Sequence, residues 1–286
     1  MERPWRGRRL HLVGVGGAGM SAYARAAHAL GAQVSGSDRE SSPYVERLAE
    51  DGVLRARIGH RAENVPAGEG VELVYSSAVP AENVERIAAR ERGVPELSRA
   101  QLLGQLSALR RTIAVAGTHG KTTTAAMLAH ALLGAGLDPS WLVGAPIGGG
   151  LANAHWGGGE WLVVEADESD RSMLALHVEV AVLTNVELDH HATFASLAQL
   201  RETFGEFLAR ASRAVVVWER EQLLALAPAG TRTVPFDVRE PLLGPQGARF
   251  RWRGREVRLA VPGAHNALDA AAALEAALLA GAEPAR

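Results

Sequence analysis

The feature that most constrains the fold is a short apolar segment that runs directly into a glycine-rich loop. Residues 112–116 read TIAVA, residues 117–124 read GTHGKTTT, and a helical pattern then continues to about Leu133. Strand, loop and helix in this order bring backbone amides and a helix N-terminus together around a phosphate group. The pattern predicts an α/β domain with a P-loop-type phosphate site.

Lys121 strengthens this prediction, because it is the single lysine among 30 Lys and Arg residues. All the other basic residues of these two types are arginines. A lysine at this one position therefore indicates that the site requires a compact ammonium group. The usual pattern G-x-x-x-x-G-K-T is incomplete, because Val115 stands at its first glycine. We predict that Lys121 bridges the β- and γ-phosphates of ATP and that the Thr122 hydroxyl ligates Mg²⁺. The predicted ATP-binding residues of the loop are Gly117, Thr118, His119, Gly120, Lys121, Thr122 and Thr123.

A second glycine cluster lies near the N-terminus. Residues 10–15 read as a buried strand and are followed by Gly16, Gly17 and Gly19, a helical stretch over 21–30, and a strand over 33–38 that ends in an acidic residue. This order predicts a Rossmann-like unit with a diphosphate at its glycine loop. Taken alone, the cluster is typical of an NAD or FAD site, and also of a tight turn that binds nothing.

Polar residues follow two further predicted strands. Residues 165–170 read EADESD after the strand 161–165, and residues 184–191 read TNVELDHH after the strand 180–184. Hard oxygen ligands beside a phosphate loop are what Mg²⁺ requires, although most acidic runs are solvated turns. Residues 262–266, PGAHN, precede a predicted helix over 267–280 and form either an adenine contact or an ordinary helix entry.

Composition narrows the class of protein. A chain of 286 residues fits two α/β domains, and a net charge of −2 argues against a nucleic-acid surface. The absence of cysteine excludes disulfides and thiolate chemistry. The N-terminus lacks an apolar signal segment, and no apolar run is long enough to cross a membrane, so we expect a cytoplasmic protein without membrane insertion. Residues 228–254, rich in Arg, Pro and Gly, predict peripheral strands and turns.

Together these segments resemble the Mur ligase family. The resemblance rests on an ordered series along almost the whole chain: GVGGAGMS at 14–21, SGSD at 35–38, GH with EN at 59–64, SSA at 76–78, GTHGKTTT at 117–124, EADESD at 165–170, TN with DH at 184–190, and HN at 265–266. It implies an α/β chain with an N-terminal Rossmann-like parallel-sheet domain over 1–105, followed by a P-loop-type ATP-binding domain over 106–286.

The resemblance also implies the ligands. The first loop then binds UDP-N-acetylmuramate instead of a nicotinamide cofactor, His265 and Asn266 lie toward adenine, and Mg²⁺ is held by Thr122, Glu165 and His190. Lys121, Glu165 and His190 are the implied catalytic residues. The implied UDP-N-acetylmuramate contacts are Gly16, Gly17, Ala18, Gly19, Met20, Ser37, Asp38, His60, Ser76, Ser77 and Asn153.

The implied activity is that of an ADP-forming C–N ligase of peptidoglycan precursor synthesis, and through it of cell-wall biogenesis, cell shape and cell division. ATP would phosphorylate the muramoyl carboxylate, and L-alanine would attack the acyl phosphate. The family usually has Asn where this chain has Asp269, and its third domain would follow Arg286, so we expect a truncated form without full activity. The alternatives are a non-catalytic fragment that binds UDP-N-acetylmuramate and ATP, a murein peptide-recycling ligase, and an NAD-dependent oxidoreductase joined to an ATPase domain.

Overall fold

The computed structural model describes residues 3–187, 194 and 196–283. Its N-terminal part is a five-stranded parallel sheet in the order β3-β2-β1-β4-β5. The strands are β1 Arg9–Val13, β2 Gln33–Asp38, β3 Arg57–Ile58, β4 Val71–Tyr75 and β5 Glu96–Ser98. The helices are α1 Ala18–Ala29, α2 Pro43–Glu50, α3 Val84–Glu91 and α4 Arg99–Ser107, with a 3₁₀ turn over Ala62–Asn64.

The strand order of this sheet places a crevice at one end of β1. The chain runs outward from β1 through β2 to β3 and then returns to the other side of β1 as β4. In open parallel sheets, ligands bind at the carboxyl ends of the strands where the order reverses in this way. The first glycine cluster begins at that point, immediately after Val13.

The remaining part contains a seven-stranded sheet in the order β12-β11-β10-β6-β9-β7-β8, in which only the β7–β8 pair is antiparallel. Its strands are β6 Arg111–Ala116, β7 Ser140–Leu142, β8 Ala154–His155, β9 Trp161–Glu165, β10 Val180–Leu183, β11 Ala214–Trp218 and β12 Arg232–Phe236. Its helices are α5 Lys121–Gly134, α6 Leu197–Leu208, α7 Glu221–Leu224 and α8 Ala264–Leu279, with a 3₁₀ turn over Ser172–Ala175.

Alternate residues of β6 explain how both faces of this sheet are covered. Ile113 and Val115 belong to the apolar cluster that contains α5 and the alanine-rich α8, whereas Ala114 and Ala116 belong to the cluster that contains α6. The second cluster also includes buried residues of α1 and α4, so one apolar core connects the two sheets. No described helix is both long and apolar enough to cross a membrane.

The segment after β11 forms peripheral strands, as predicted for residues 228–254. β12 joins the edge of the seven-stranded sheet, whereas β13 Leu242–Gly244, β14 Gly247–Trp252 and β15 Arg255–Leu259 form a separate antiparallel sheet. Two helices also begin three residues before the predicted positions 21 and 267. Their N-caps are Gly17 and Gly263, which lack the capping side chain that marks a helix start in a sequence.

Candidate functional site

The phosphate loop between β6 and α5 depends on two glycines. Gly117 has φ +135° and Gly120 has φ +82°, backbone conformations that residues with a side chain rarely adopt. A Cβ atom on Gly117 would overlap the Thr184 hydroxyl, and one on Gly120 would overlap the carboxylate of Asp269. The loop is therefore folded tightly against the residues after β10 and against α8.

The segment that follows β10 holds the loop through hydrogen bonds. The Thr184 hydroxyl donates to the carbonyl of His119 at 2.6 Å, and the Asn185 side chain bonds both the amide and the carbonyl of His119, each at 2.9 Å. The Thr118 hydroxyl bonds to the backbone of Glu187. β6 lies between β10 and β9, so the residues after all three strands meet here.

Lys121 turns back onto its own loop. Its ammonium donates to the carbonyls of Gly117 at 2.7 Å and Thr118 at 3.2 Å, and it lies 3.0 Å from a carboxylate oxygen of Glu168. The Glu168 side chain is 1% exposed, and burial raises the pKa of its carboxyl, while the charge of Lys121 opposes that rise. The loop cation and an acidic residue after β9 thus form a nearly buried ion pair.

Thr122 and Glu165 bring together two of the three predicted metal ligands. The Thr122 hydroxyl donates to one Glu165 oxygen at 2.9 Å, and the other oxygen accepts the Gly144 amide at 2.6 Å. No group of three or more His, Asp or Glu side chains among the described residues is arranged to hold a metal. Mg²⁺ keeps several waters and uses one or two carboxylates with substrate phosphates, so these oxygens fit it. His190, the third predicted ligand, lies outside the described residues.

The first glycine loop is tied to the end of β2. The carbonyl of Ser37 accepts the amides of Gly14 at 2.9 Å and Val15 at 3.1 Å, and the Asp38 carboxylate accepts the Gly16 amide at 2.7 Å. The loop then enters α1 at Ala18. Of the residues predicted to bind the sugar nucleotide, the structure brings Gly16, Gly17, Ala18, Gly19, Ser37, Asp38, His60, Ser76 and Ser77 to the carboxyl end of the first sheet.

Two residues of that predicted set have other surroundings. Met20 is buried in the core, with 2% of the whole residue exposed, so neither its side chain nor its backbone is open to a ligand. Asn153 is 3% exposed, and its amide donates to the carbonyl of Ala18 at 2.9 Å and to the Ser21 hydroxyl at 3.2 Å. Asn153 therefore links the second sheet to the start of α1.

The start of α8 lies on the other side of the phosphate loop. His265 is exposed, and the Asn266 side chain donates to the carbonyl of Pro262 at 2.6 Å. Asp269, one turn further on, is 7% exposed. Burial raises the pKa of Asp269 from 3.8 to about 7, although the nearby Thr124 hydroxyl lowers it. A carboxyl that is easily protonated therefore contacts the loop.

The structure adds two residues to those identified from the sequence. Arg99, at the start of α4, lies 3.2 Å from Asp170 and 3.8 Å from Asp167, so it connects the first domain to the acidic segment after β9. Glu85 of α3 is fully buried beneath Ser37 and His60. Neither belongs to a local motif, and only the folding of distant segments places them here.

Comparison with known proteins agrees with this architecture. The catalytic-domain model of the Mur ligase family matches residues 9–111, and the Mur ligase middle-domain model matches residues 115–277. A UDP-N-acetylmuramate--L-alanine ligase of Rubrobacter xylanophilus is 41% identical over 96% of this chain and 64% of its own length. The chain thus spans about three fifths of the length of such curated relatives.

Two solved structures are similar over most of the chain. One is the UDP-N-acetylmuramate-alanine ligase MurC of Thermotoga maritima, with a TM-score of 0.83, 27% identity and coverage of 96% of this chain and 65% of that one. The other is the UDP-N-acetylmuramate:L-alanyl-gamma-D-glutamyl-meso-diaminopimelate ligase of Neisseria meningitides, with a TM-score of 0.85, 26% identity and coverage of 96% and 94%. The two family models, the shared architecture and the phosphate loop lead to one conclusion: the chain belongs to the Mur ligase family.

Proposed function

We propose that this chain binds UDP-N-acetylmuramate on its N-terminal domain, over 1–105, and Mg-ATP on its central domain, over 106–286. We further propose that it belongs to an enzyme that joins L-alanine to the muramoyl carboxylate in the cytoplasm. The observation that carries this proposal is the convergence of Lys121, Thr122 and Glu165 at one phosphate loop, in a chain whose curated relatives bear that activity in their names.

The residues around the loop fit phosphoryl transfer from ATP. The loop amides and the ammonium of Lys121 would hold the β- and γ-phosphates, and Thr122, Glu165 and His190 would hold Mg²⁺. When bound, Mg²⁺ would neutralise charge on the transferring group. His265 and Asn266 would lie toward adenine. Positioning and charge neutralisation account for most of the catalysis in this reaction class.

The proposed chemistry has two steps. In the first, a muramoyl carboxylate oxygen forms a bond to the γ-phosphorus while the bond to the β-phosphate oxygen breaks, which gives an acyl phosphate and ADP. In the second, the alanine amine attacks the acyl carbon through a tetrahedral intermediate, loses a proton and expels phosphate. No protein nucleophile takes part, so the chain's residues bind, orient and neutralise the two anions.

Calorimetric titration of the chain with UDP-N-acetylmuramate, Mg-ATP and NAD tests the proposal. We expect saturable binding of UDP-N-acetylmuramate and Mg-ATP, each independent of the other's site, and none of NAD. Stoichiometric NAD binding that UDP-N-acetylmuramate fails to displace would overturn the assignment of the first glycine loop.

A murein peptide ligase is the second candidate, because the solved Neisseria ligase covers this chain as fully as the Thermotoga enzyme does. UDP-N-acetylmuramate is in the names of both ligases, so the amine distinguishes the two candidates. Phosphate release from Mg-ATP and UDP-N-acetylmuramate that responds to L-alanine would favour our first proposal. A response to L-alanyl-γ-D-glutamyl-meso-diaminopimelate alone would favour the second.

A further inference from the structure

A fully buried carboxylate lies beneath the first glycine loop. Glu85 is 0% exposed, and one of its oxygens accepts from His11 Nε2 at 2.9 Å and from the Ser37 hydroxyl at 2.8 Å. The other accepts from His60 Nδ1 at 3.0 Å and from the Asn64 amide at 2.9 Å. The backbone amide of Arg61 adds a longer contact to that second oxygen at 3.4 Å. Two carboxylate oxygens offer about four lone-pair positions, so these contacts saturate the group.

The protonation of this cluster follows from its geometry. Burial alone would raise the pKa of Glu85, but the hydrogen bonds from His11, Asn64, Ser37 and His60 outweigh it and hold the pKa at about 2. An ionised carboxylate only accepts hydrogen bonds, so every neighbour must donate. His60 must therefore carry its hydrogen on Nδ1, and in the neutral ring Nε2 is then an acceptor.

The remaining edge of His60 is available to a ligand. Its side chain is 20% exposed, and no described residue hydrogen-bonds to its Nε2 atom. The same cluster reaches the glycine loop, because Ser37 bonds Glu85 through its hydroxyl and accepts the amides of Gly14 and Val15 through its carbonyl. One buried anion thus fixes both the loop and the imidazole.

We propose that Glu85 is a positioning residue for the sugar nucleotide: it holds His60 as the Nδ1–H tautomer, so that Nε2 accepts a hydrogen bond from a donor of the nucleotide. That donor is a ribose hydroxyl or the N3–H of uracil. The inference rests on the proposed binding of UDP-N-acetylmuramate at this end of the sheet. It adds a residue that contacts no ligand itself.

The substitution Glu85→Gln tests the role, because an amide offers one acceptor oxygen and turns a donor toward its neighbours. We expect the affinity for UDP-N-acetylmuramate to fall by about tenfold, the effect of one misaligned hydrogen bond, while Mg-ATP affinity stays unchanged. The matched control is Glu91→Gln, which removes the same charge from an exposed position on the same helix. Equal affinity of Glu85→Gln and wild type would overturn the inference.

Nitrogen-15 NMR of the wild-type histidines provides a test that needs neither a variant nor a ligand. At pH 8 we expect the His60 resonances to show a protonated Nδ1 and an unprotonated Nε2, and to become a tautomer mixture in Glu85→Gln. A protonated Nε2 in the wild-type protein would overturn the inference even if the variant fails to fold. Absence of UDP-N-acetylmuramate binding by wild type would instead contradict the proposed function together with this role.

Nucleotide analogues identify the donor. Binding of UDP is compared with that of 2′,3′-dideoxy-UDP, which lacks both ribose hydroxyls, and of N3-methyl-UDP, which lacks the base donor. We expect one analogue to bind more weakly than UDP to wild type, and this difference to disappear in His60→Ala. If both analogues bind as UDP does, Nε2 accepts no hydrogen bond from the nucleotide and the inference is wrong.

Discussion

Lys121 Nζ lies 3.0 Å from a carboxylate oxygen of Glu168, so the phosphate loop already contains an anionic partner for its own cation. Both side chains are nearly buried, at 12% and 1% exposure. An isolated buried charge is costly, and this pairing neutralises both groups. ATP must therefore compete with Glu168 for the ammonium, and a polyphosphate has the charge to do so.

Replacing Lys121 should separate the two proposed ligands. We expect Lys121→Ala to weaken Mg-ATP binding by about 10- to 100-fold, the value of one or more charge-assisted hydrogen bonds. UDP-N-acetylmuramate binding should persist, because its proposed site is on the other sheet. Calorimetric titration of both ligands measures the difference.

The same substitution should also destabilise the fold, because Glu168 loses its cationic partner. A loss of about 3 kcal/mol in the free energy of unfolding is expected. The double variant Lys121→Ala/Glu168→Gln should regain most of that stability without regaining ATP affinity. If the double variant binds ATP as wild type does, Lys121 has only a structural role.

Gly120→Ala should destabilise the protein by about 1–3 kcal/mol, because φ is +82° and the new Cβ would overlap Asp269. Gly134→Ala, at the opposite end of α5, is the matched control. Apart from its chain neighbours and the backbone of α5, no atom of a described residue lies within 4 Å of its Cβ position, so alanine should be neutral or stabilising there. Urea unfolding of both variants measures the contrast, and equal stabilities would mean that the loop accommodates the side chain.

The proximity of Thr122 and Glu165 could be predicted from the sequence because local order determines it. Strand, glycine loop and helix are contiguous around Lys121, and the acidic residue Glu165 ends a strand that neighbours β6. Residues brought in from far along the chain were harder to interpret. Asp269 was recognised only as a departure from the family pattern, and its contact with Gly120 depends on how α8 packs against α5.

The buried Asp269 should make stability depend on pH. Its pKa is about 7 in the folded protein, against an ordinary value of 3.8, so the folded state binds a proton more tightly than the unfolded state does. The contribution of Asp269 to the free energy of unfolding should therefore be fully present below about pH 4. It should fall by up to about 4 kcal/mol as the pH rises to about 7. Chemical denaturation across that range measures the slope.

Asp269→Asn should remove this pH-dependent component and should be more stable than wild type at pH 8. Glu82→Gln, which removes one charge from an exposed position, controls for net charge and should leave the slope unchanged. The assignment is wrong if the difference in unfolding free energy between wild type and Asp269→Asn is the same at pH 4 and pH 8.

Asn153 should contribute to the contact between the two domains. Removing its amide in Asn153→Ala leaves the carbonyl of Ala18 without that donor, which costs about 1–2 kcal/mol. Asn153→Asp should be at least as unfavourable, because a carboxylate would face the same carbonyl. Hydrogen exchange at the start of α1 should accelerate in both variants, and unchanged rates would show that the contact is dispensable. Gln246→Ala, which removes an exposed amide, is the control.

Neither Asn153 nor Glu85 could be assigned these contacts from sequence. Asn153 was predicted to contact the sugar nucleotide. Its amide instead donates to the first turn of α1, where Ser21 is 132 positions away in the sequence. Glu85 gathers donors from segments up to 74 residues away. The contacts of such residues depend on which distant segments pack together in the fold, and a local sequence pattern does not show this.

The solitary lysine gives amine-selective reagents a single side-chain target in this chain. Amine-selective chemistry has a single side chain to modify, at Lys121, and that side chain is held against Glu168 and its own loop. The extent of acylation, read by mass spectrometry as zero or one side-chain adduct, would therefore count vacant phosphate loops directly. An engineered label is not needed to follow nucleotide occupancy in this protein.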